Sequence, residues 1–174
     1  MSGLFSHSSA AGDLPAPRPP LQAVVTVPAP ADHAWAGLTE HLHLWWPADE
    51  LSRWGDDSFF DLEDNALVET SAEDEENVWG EVIEGRPGQW LELRWKHPGS
   101  ASTTQVRLEL VLGDGGAADT AEPTLVNRPG ESTSTVLTLG HDGWTTADPQ
   151  DTYDFYRLFW PGALARYRRF MGGS

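Results

Sequence analysis

The sequence predicts an α+β fold in which a curved antiparallel sheet is covered by one long C-terminal α-helix. The segment Asp148–Met171 repeats apolar residues at three- and four-residue steps, the period of a helix with one buried face. Between residues 58 and 141, short runs of alternating apolar and polar residues are separated by turn residues, as in half-buried antiparallel strands. Strands that are followed by a single helix favour a segregated α+β layout.

The C-terminal helix carries recognisable signals at both ends. Asp148 suits the N-cap, and Pro149 suits the first helical position. Gly172 follows the last turn, where Arg168 and Arg169 interact favourably with the helix dipole. The apolar face is too broad to stay in water, so we expect it to cover the sheet. This face consists of Tyr153, Tyr156, Trp160, Leu164, Tyr167 and Met171.

The elements before this helix follow from β-branched runs, alternation and turn residues. Leu21–Val27 is predicted as the first strand because it ends in a β-branched run and is followed by Pro28 and Pro30. Ala31–Glu40 is predicted as a short helix. The remaining strands are predicted at Ser58–Leu62, Ala66–Ser71, Val78–Gly85, Gln89–His97, Thr103–Leu112 and Thr133–His141.

The chain is predicted to be one domain, residues 21–174, behind an N-terminal tail. Residues 1–20 are rich in Ser, Ala and Pro, which favours a flexible and extended segment. Residues 113–132 are rich in Gly, Ala, Asp and Thr and show no clear period, so we expect a mobile hairpin insertion. A curled sheet closed by one helix leaves a cavity, the usual place for small apolar ligands.

Charge and composition narrow the classes of function. The formal charge is −16, from 11 basic and 27 acidic residues, and such a field repels phosphate backbones and anionic membranes. We therefore expect no nucleic-acid partner. The chain has no cysteine, which excludes disulfides, thiol catalysis and Cys-ligated zinc. We see no secretory signal and no apolar run of membrane-spanning length, and we expect a cytoplasmic protein without membrane insertion.

No metal site or cofactor is expected. His41 and His43 stand two residues apart, and neither they nor His33 have the spacing of a recognised ligand set. The glycines of residues 113–116 lie in the predicted insertion without a helix after them, so they do not indicate a phosphate loop. The sequence also lacks the G-x-S-x-G pattern of a nucleophile elbow.

Four stretches resemble, in their order and spacing, the SRPBCC or START-like helix-grip superfamily, and within it the AHSA1-like branch named after the activator of Hsp90 ATPase. The resemblance covers nearly the whole chain from Leu21 to Met171. It implies the helix-grip fold and a central hydrophobic cavity. The superfamily includes lipid carriers, hormone receptors and polyketide cyclases, so it does not imply one reaction. The stretches are Val27–Thr39, Leu44–Pro47, Trp79–Glu84 with Leu91–Trp95, and Ser134–Trp144 with Phe159–Leu164.

An excess of aromatic residues indicates a binding site for a small apolar or aromatic molecule. The chain has nine tryptophans, and an indole ring combines a large apolar face with one N–H donor. We expect this ligand to lie between the sheet and the C-terminal helix. The expected lining residues are Leu93, Trp95, Leu137, Leu139, His141, Trp144, Tyr153, Tyr156 and Trp160.

Two other classes of function stay open. One is an enzyme of the polyketide cyclase or dehydratase type, with His141 and Tyr153 as the candidate acid–base residues. We favour the simpler interpretation of His141, a core histidine that is hydrogen-bonded to the turn at Asp142. The other is a chaperone-related or self-associating protein-interaction module, which predicts an exposed apolar patch. The residues of that patch are Leu42, Trp45, Trp46 and Trp54.

Overall fold

A computed structural model describes residues 18–63, 65–100, 102–113 and 134–173. Its seven strands form one antiparallel sheet in the order β1-β7-β6-β5-β4-β3-β2. The sheet curls around the C-terminal helix, which confirms the predicted α+β class. The elements are β1 (Leu21–Val27), α1 (Ala31–Leu38), a 3-10 turn (Leu42–Leu44), β2 (Phe59–Glu63), β3 (Ala66–Thr70), β4 (Glu76–Arg86), β5 (Trp90–Trp95), β6 (Thr104–Leu112), β7 (Thr135–Asp142) and α2 (Gln150–Phe170).

The predicted elements all occur, and they differ from the prediction mainly at their ends. The C-terminal helix begins at Gln150, with Pro149 as its N-cap and no side-chain capping bond. Asp148 does not cap this helix. Its carboxylate accepts hydrogen bonds from the Thr145 main-chain N–H at 2.8 Å and from the Ser102 hydroxyl, and so ties the β5–β6 loop to the segment before α2.

The core lies between the concave face of the sheet and the buried face of α2. The side chain of Tyr167 donates to the carbonyl of Ala34 at 2.6 Å, and Trp45 Nε1 donates to the carbonyl of Gly37 at 2.8 Å. The first bond fixes α1 against α2, and the second fixes the segment after α1 against α1. The largest fully buried side chains include Phe60, Trp79, Trp95, Leu137, Leu139, His141, Tyr156 and Tyr167.

The two hairpins at one end of the sheet have unequal lengths. β3 pairs with β4 from Thr70 opposite Glu76 to Ala66 opposite Glu81. β4 then continues to Arg86 and pairs there only with β5. As a result, the β4–β5 hairpin extends beyond the β2–β3 hairpin and leaves a gap beside the end of α1.

Several predictions concern the chain outside the sheet and helices. The predicted tail and insertion fall almost wholly on residues 1–17 and 114–133, outside the described residues, and stay predictions. Leu42, Trp45 and Trp46 are only 5–8% exposed, so they do not form the apolar surface patch that the protein-interaction alternative requires. Trp54 is half-buried. In the described ranges, no helix is both long and apolar enough to cross a membrane.

Candidate functional site

The space beneath α2, where the ligand cavity was expected, is almost completely filled. It holds a cavity of about 30 Å³. This volume has room for roughly one water molecule, and an apolar wall offers that water no hydrogen-bond partner. Ligand pockets usually measure about 300–1,000 Å³, so this conformation has no ligand-sized cavity there. The wall consists of Leu38, Leu42, Trp45, Trp46, Leu67, Leu93, Trp95, Val106, Leu108, Leu139, Trp160, Ala163 and Leu164.

Aromatic rings occupy the volume that a ligand would need. The ring centroids of Trp95 and Trp160 are 5.6 Å apart, and Tyr156 stacks on Trp160 at 5.7 Å. Trp46, which the protein-interaction alternative places in a surface patch, lies 6.4 Å from Trp95 and helps to fill the core. Four of the predicted lining residues border the small cavity, namely Leu93, Trp95, Leu139 and Trp160, whereas Leu137, His141, Trp144, Tyr153 and Tyr156 pack elsewhere in the core.

His141 is fully buried, and side chains occupy both of its ring nitrogens. Trp160 Nε1 donates a hydrogen bond to His141 Nδ1 at 3.0 Å, so this nitrogen carries no proton. The neutral ring therefore has its proton on Nε2, which lies 2.7 Å from the Thr104 hydroxyl oxygen and donates to it. Burial lowers the pKa of His141 to about 3, and His97 adds to that shift against the opposing charge of Asp148. His141 thus has no free nitrogen with which to accept a ligand's proton.

Tyr153, the second candidate acid–base residue, lies at the N-terminal end of α2. Its hydroxyl donates to the carbonyl of Pro19 at 3.0 Å. The guanidinium of Arg18 lies 5.7 Å from the centre of the Tyr153 ring and donates to the carbonyl of Thr145 at 2.7 Å. The Tyr153 hydroxyl therefore anchors the segment that precedes β1.

The structure contains a His–Tyr pair that the sequence analysis missed. His97 Nδ1 lies 2.7 Å from the hydroxyl oxygen of Tyr156, and Trp95 Nε1 donates to the same oxygen at 3.0 Å. Desolvation lowers the pKa of the half-buried His97, and burial raises the pKa of Tyr156. The alternation of Leu93, Trp95 and His97 was the available signal, because every second residue of a strand faces the same side.

Glu69 is a second missed residue and is 0% exposed on β3. Its carboxylate accepts hydrogen bonds from the main-chain N–H groups of Arg53 at 2.9 Å and Trp54 at 3.2 Å, and from the Ser52 hydroxyl. Trp79 Nε1 is a further donor at 2.9 Å. Desolvation acts to raise the pKa of Glu69, but these donors together lower it. The charge thus fixes the loop before β2 and has no role that requires a ligand.

A groove of about 650 Å³ lies at the gap between the two hairpins, next to the end of α1. Trp35, Leu62, Val82 and Leu91 form the apolar part of its floor, and polar groups supply nearly half of its surface. Ile83 stands on its rim with 43% exposure. The rest of its wall includes Thr39, Glu40, Asn65, Glu84, Gly85, Arg86, Pro87 and Trp90. The sequence pattern predicted the strands that border this groove, but the groove itself depends on where β3 stops.

The groove and the small cavity lie side by side on the concave face of the sheet. Leu91, in the groove, is opposite Leu108 on β6, which lines the cavity. Val82, also in the groove, is opposite Leu93, which lines the cavity as well. The groove is therefore the open end of the same apolar layer that α2 covers.

No protein-family model matches this sequence, and no curated protein matches it. Its fold is similar to several solved structures. CalU16 from Micromonospora echinospora has a TM-score of 0.50 and 18% identity over 88% of this chain and 76% of that chain. The anthrahydroquino-gamma-pyrone synthase Txn09, solved in complex with SUM, has a TM-score of 0.54 and 19% identity over 90% and 99% of the two chains.

A third similar structure is that of the Aha1 dimer from Colwellia psychrerythraea. Its TM-score is 0.52, with 13% identity over 88% of this chain and 96% of that chain. Identities this low show a shared fold and do not transfer an activity. The comparisons thus agree with the fold that the resemblance to the helix-grip superfamily implies, and they leave the branch within it open.

Proposed function

We propose that this protein binds a small apolar or aromatic molecule in the groove between the end of α1 and the β4–β5 hairpin. The observation that carries the proposal is the groove itself, with its volume of about 650 Å³ and its apolar floor. Pockets of roughly this size with apolar walls and a few polar groups are typical of small-ligand sites. The proposal keeps the expected class of ligand and moves its site out from beneath α2.

The fold supports a role in ligand binding. The synthase of similar fold was solved in complex with SUM. We assign the chain to the helix-grip superfamily as part of this proposal, and its placement in the Hsp90-activator branch stays a hypothesis. A cytoplasmic location is likewise proposed from the sequence. The enzyme alternative has one specific observation in its favour, the 2.7 Å His97–Tyr156 contact. Neither the groove nor the small cavity is lined by His97, so we prefer binding to catalysis.

A fluorescent dye tests the proposal directly. N-phenylnaphthylamine is uncharged, and its emission rises in apolar surroundings. Covering about 200 Å² of its apolar surface contributes roughly 5 kcal/mol at about 25 cal/mol/Å², and the freedom that the dye loses on binding offsets part of this gain. We expect saturable binding with a Kd above about 0.2 mM.

Two variants of β4 separate the groove from the rest of the surface. Ile83 and Val78 are 43% and 44% exposed on the same strand, but only Ile83 lines the groove. Ile83→Glu should weaken dye binding at least about fivefold, because a carboxylate then has to be desolvated next to the dye. Val78→Glu should leave the Kd unchanged, and thermal melting should show that both variants fold. Equal effects of the two substitutions, or no saturation with the wild type, would contradict the proposal.

A further inference from the structure

The groove has a main-chain edge along one wall. The last pair between β3 and β4 is Ala66 with Glu81, and one further bond runs from the Val82 N–H to the carbonyl of Asn65 at 2.8 Å. Beyond it, β4 continues through Ile83–Arg86 with β5 on one side only. Among the described residues, no strand lies on the other side of this stretch, which faces the groove.

A free strand edge presents alternating N–H donors and C=O acceptors. The Val82 N–H points across the gap toward Asn65. Because successive residues of a strand point their main-chain groups to opposite sides, Glu84 and Arg86 turn to β5, and Gly85 turns its N–H and C=O to the groove. A register shift between Val82 and Glu84 places Ile83 in a bulge, which disturbs the edge without covering it. Next to an apolar floor, such hydrogen-bonding groups fix the orientation of a bound ligand.

The charges around the groove make the binding of an anion unfavourable. Its wall carries two exposed carboxylates, Glu40 and Glu84, and one guanidinium, Arg86. The chain as a whole carries a formal charge of −16. A ligand carboxylate at this position meets repulsion from both sources.

We infer that the ligand of this groove is an uncharged apolar molecule with an amide-like edge, a hydrogen-bond donor beside an acceptor, which pairs with the main-chain N–H and C=O of Gly85. This inference rests on the proposed function and adds the chemical class of the ligand to it. The apolar body covers Trp35, Leu62 and Leu91, and the polar edge takes the place that a continued β3 would have.

Three small molecules of one shape test this inference. Naphthamide has both the donor and the acceptor. Methyl naphthyl ketone has a methyl group in place of the amide NH₂ and keeps only the acceptor. Naphthoate has a negatively charged oxygen in that place. We expect naphthamide to bind about threefold to tenfold more tightly than the ketone, the effect of one net hydrogen bond. Naphthoate should bind most weakly. The Kd values are measured by competition with N-phenylnaphthylamine.

Amide spectra of ¹⁵N-labelled protein locate the contact. Naphthamide should shift the N–H signal of Gly85 beyond the shift caused by the ketone, and the Ile83→Glu variant should need a higher ligand concentration to reach the same shifts. If the ketone and the amide bind equally well, the inference fails and the proposed groove function stands. If none of the three molecules shifts a groove residue, the proposed function fails with it. Tightest binding by naphthoate would also overturn the inference.

Discussion

The Nδ1 atom of His97 lies 2.7 Å from the hydroxyl oxygen of Tyr156, which also accepts the N–H of Trp95 at 3.0 Å. Among the described residues, His97 Nδ1 is the one acceptor within reach of the buried tyrosine hydroxyl, so the hydroxyl donates its proton to the imidazole. Tyr156 and Trp95 are 0% and 2% exposed, so the tyrosine hydroxyl and the indole N–H are removed from bulk water, whereas His97 is half-buried. These contacts join β5, through Trp95, and the loop after it, through His97, to α2, and their loss should therefore affect the whole fold.

Tyr156→Phe is expected to lower the free energy of unfolding by about 1–3 kcal/mol, since it leaves Trp95 Nε1 and His97 Nδ1 without this partner. The matched control is Tyr153→Phe, which removes only the bond to the carbonyl of Pro19 at the edge of the fold. Chemical denaturation measures both. If Tyr153→Phe lowers the free energy of unfolding as much as Tyr156→Phe does, the buried network contributes no more stability than the bond at the edge of the fold.

His141 makes the stability depend on pH. Its pKa falls from an ordinary value of 6.5 to about 3 in the folded protein, mainly through burial. The unfolded chain therefore binds a proton that the folded chain does not bind between these two values, so stability decreases as the pH falls below about 6.5. At pH 5 the expected loss from this group is about 2 kcal/mol.

His141→Asn should flatten the pH dependence of the unfolding free energy between pH 6.5 and pH 5, even where the variant is less stable throughout. His33→Asn is the control, because it removes one exposed imidazole and leaves the buried network intact. The groups that face His141 are His97 and Asp148, and both stay in place in these variants. An unchanged slope in His141→Asn would assign the pH dependence to another group.

Glu69 should stabilise the loop before β2 through its charge. Glu69→Gln keeps the shape of the side chain but presents an NH₂ group to donors that need an acceptor, so we expect a loss of about 2–3 kcal/mol. Glu81→Gln is the control, because Glu81 forms an exposed ion pair with Arg94, of the kind that contributes about 0–1 kcal/mol. Urea denaturation compares the two. If both substitutions lower the free energy of unfolding equally, the buried carboxylate of Glu69 contributes no more stability than the exposed carboxylate of Glu81.

The pKa of Glu69 is lowered in the folded protein, so its contribution is present above its ordinary pKa and is lost as the pH falls through the folded value. Wild type and Glu69→Gln should therefore converge in stability under acidic conditions. This convergence begins below pH 4.5, the ordinary pKa of a glutamate, so it overlaps only the acidic end of the range between about 3 and 6.5 in which His141 acts.

Local sequence patterns were sufficient for the fold. Leu21–Val27 is both the predicted and the observed first strand, because a β-branched run between turn residues leaves few alternatives. The start of α2 was misplaced since Asp148 is an equally good partner for Ser102, a residue far away in sequence. Capping preferences describe a helix end in isolation, and a tertiary partner can override them.

The candidate site could not be predicted in the same way. Whether a curled sheet encloses a ligand-sized cavity depends on side-chain volumes packed in three dimensions, and the rings of Trp46, Trp95 and Trp160 fill it here. The groove exists because β3 begins at Ala66, opposite Glu81, while β4 continues as far as Arg86. The alternation of residues identifies a strand, but it does not show how far its neighbour extends.

A substitution in the small cavity tests whether the interior beneath α2 is a packed core. Leu139 is 1% exposed and lines the cavity of about 30 Å³. In a close-packed core, Leu139→Ala should destabilise the protein by about 2–5 kcal/mol, because it removes buried contacts and enlarges a void. Leu158→Ala is the control on α2, because this side chain is 69% exposed. It should change the free energy of unfolding by no more than about 0.5 kcal/mol.

The enlarged void should also behave as a dry apolar site. We expect benzene to raise the melting temperature of Leu139→Ala while leaving the wild type and Leu158→Ala unchanged, because an apolar cavity of sufficient size binds benzene. If benzene raises the melting temperature of the wild type as much as that of Leu139→Ala, the interior opens readily to ligands. The binding site would then extend from the groove to the space beneath α2.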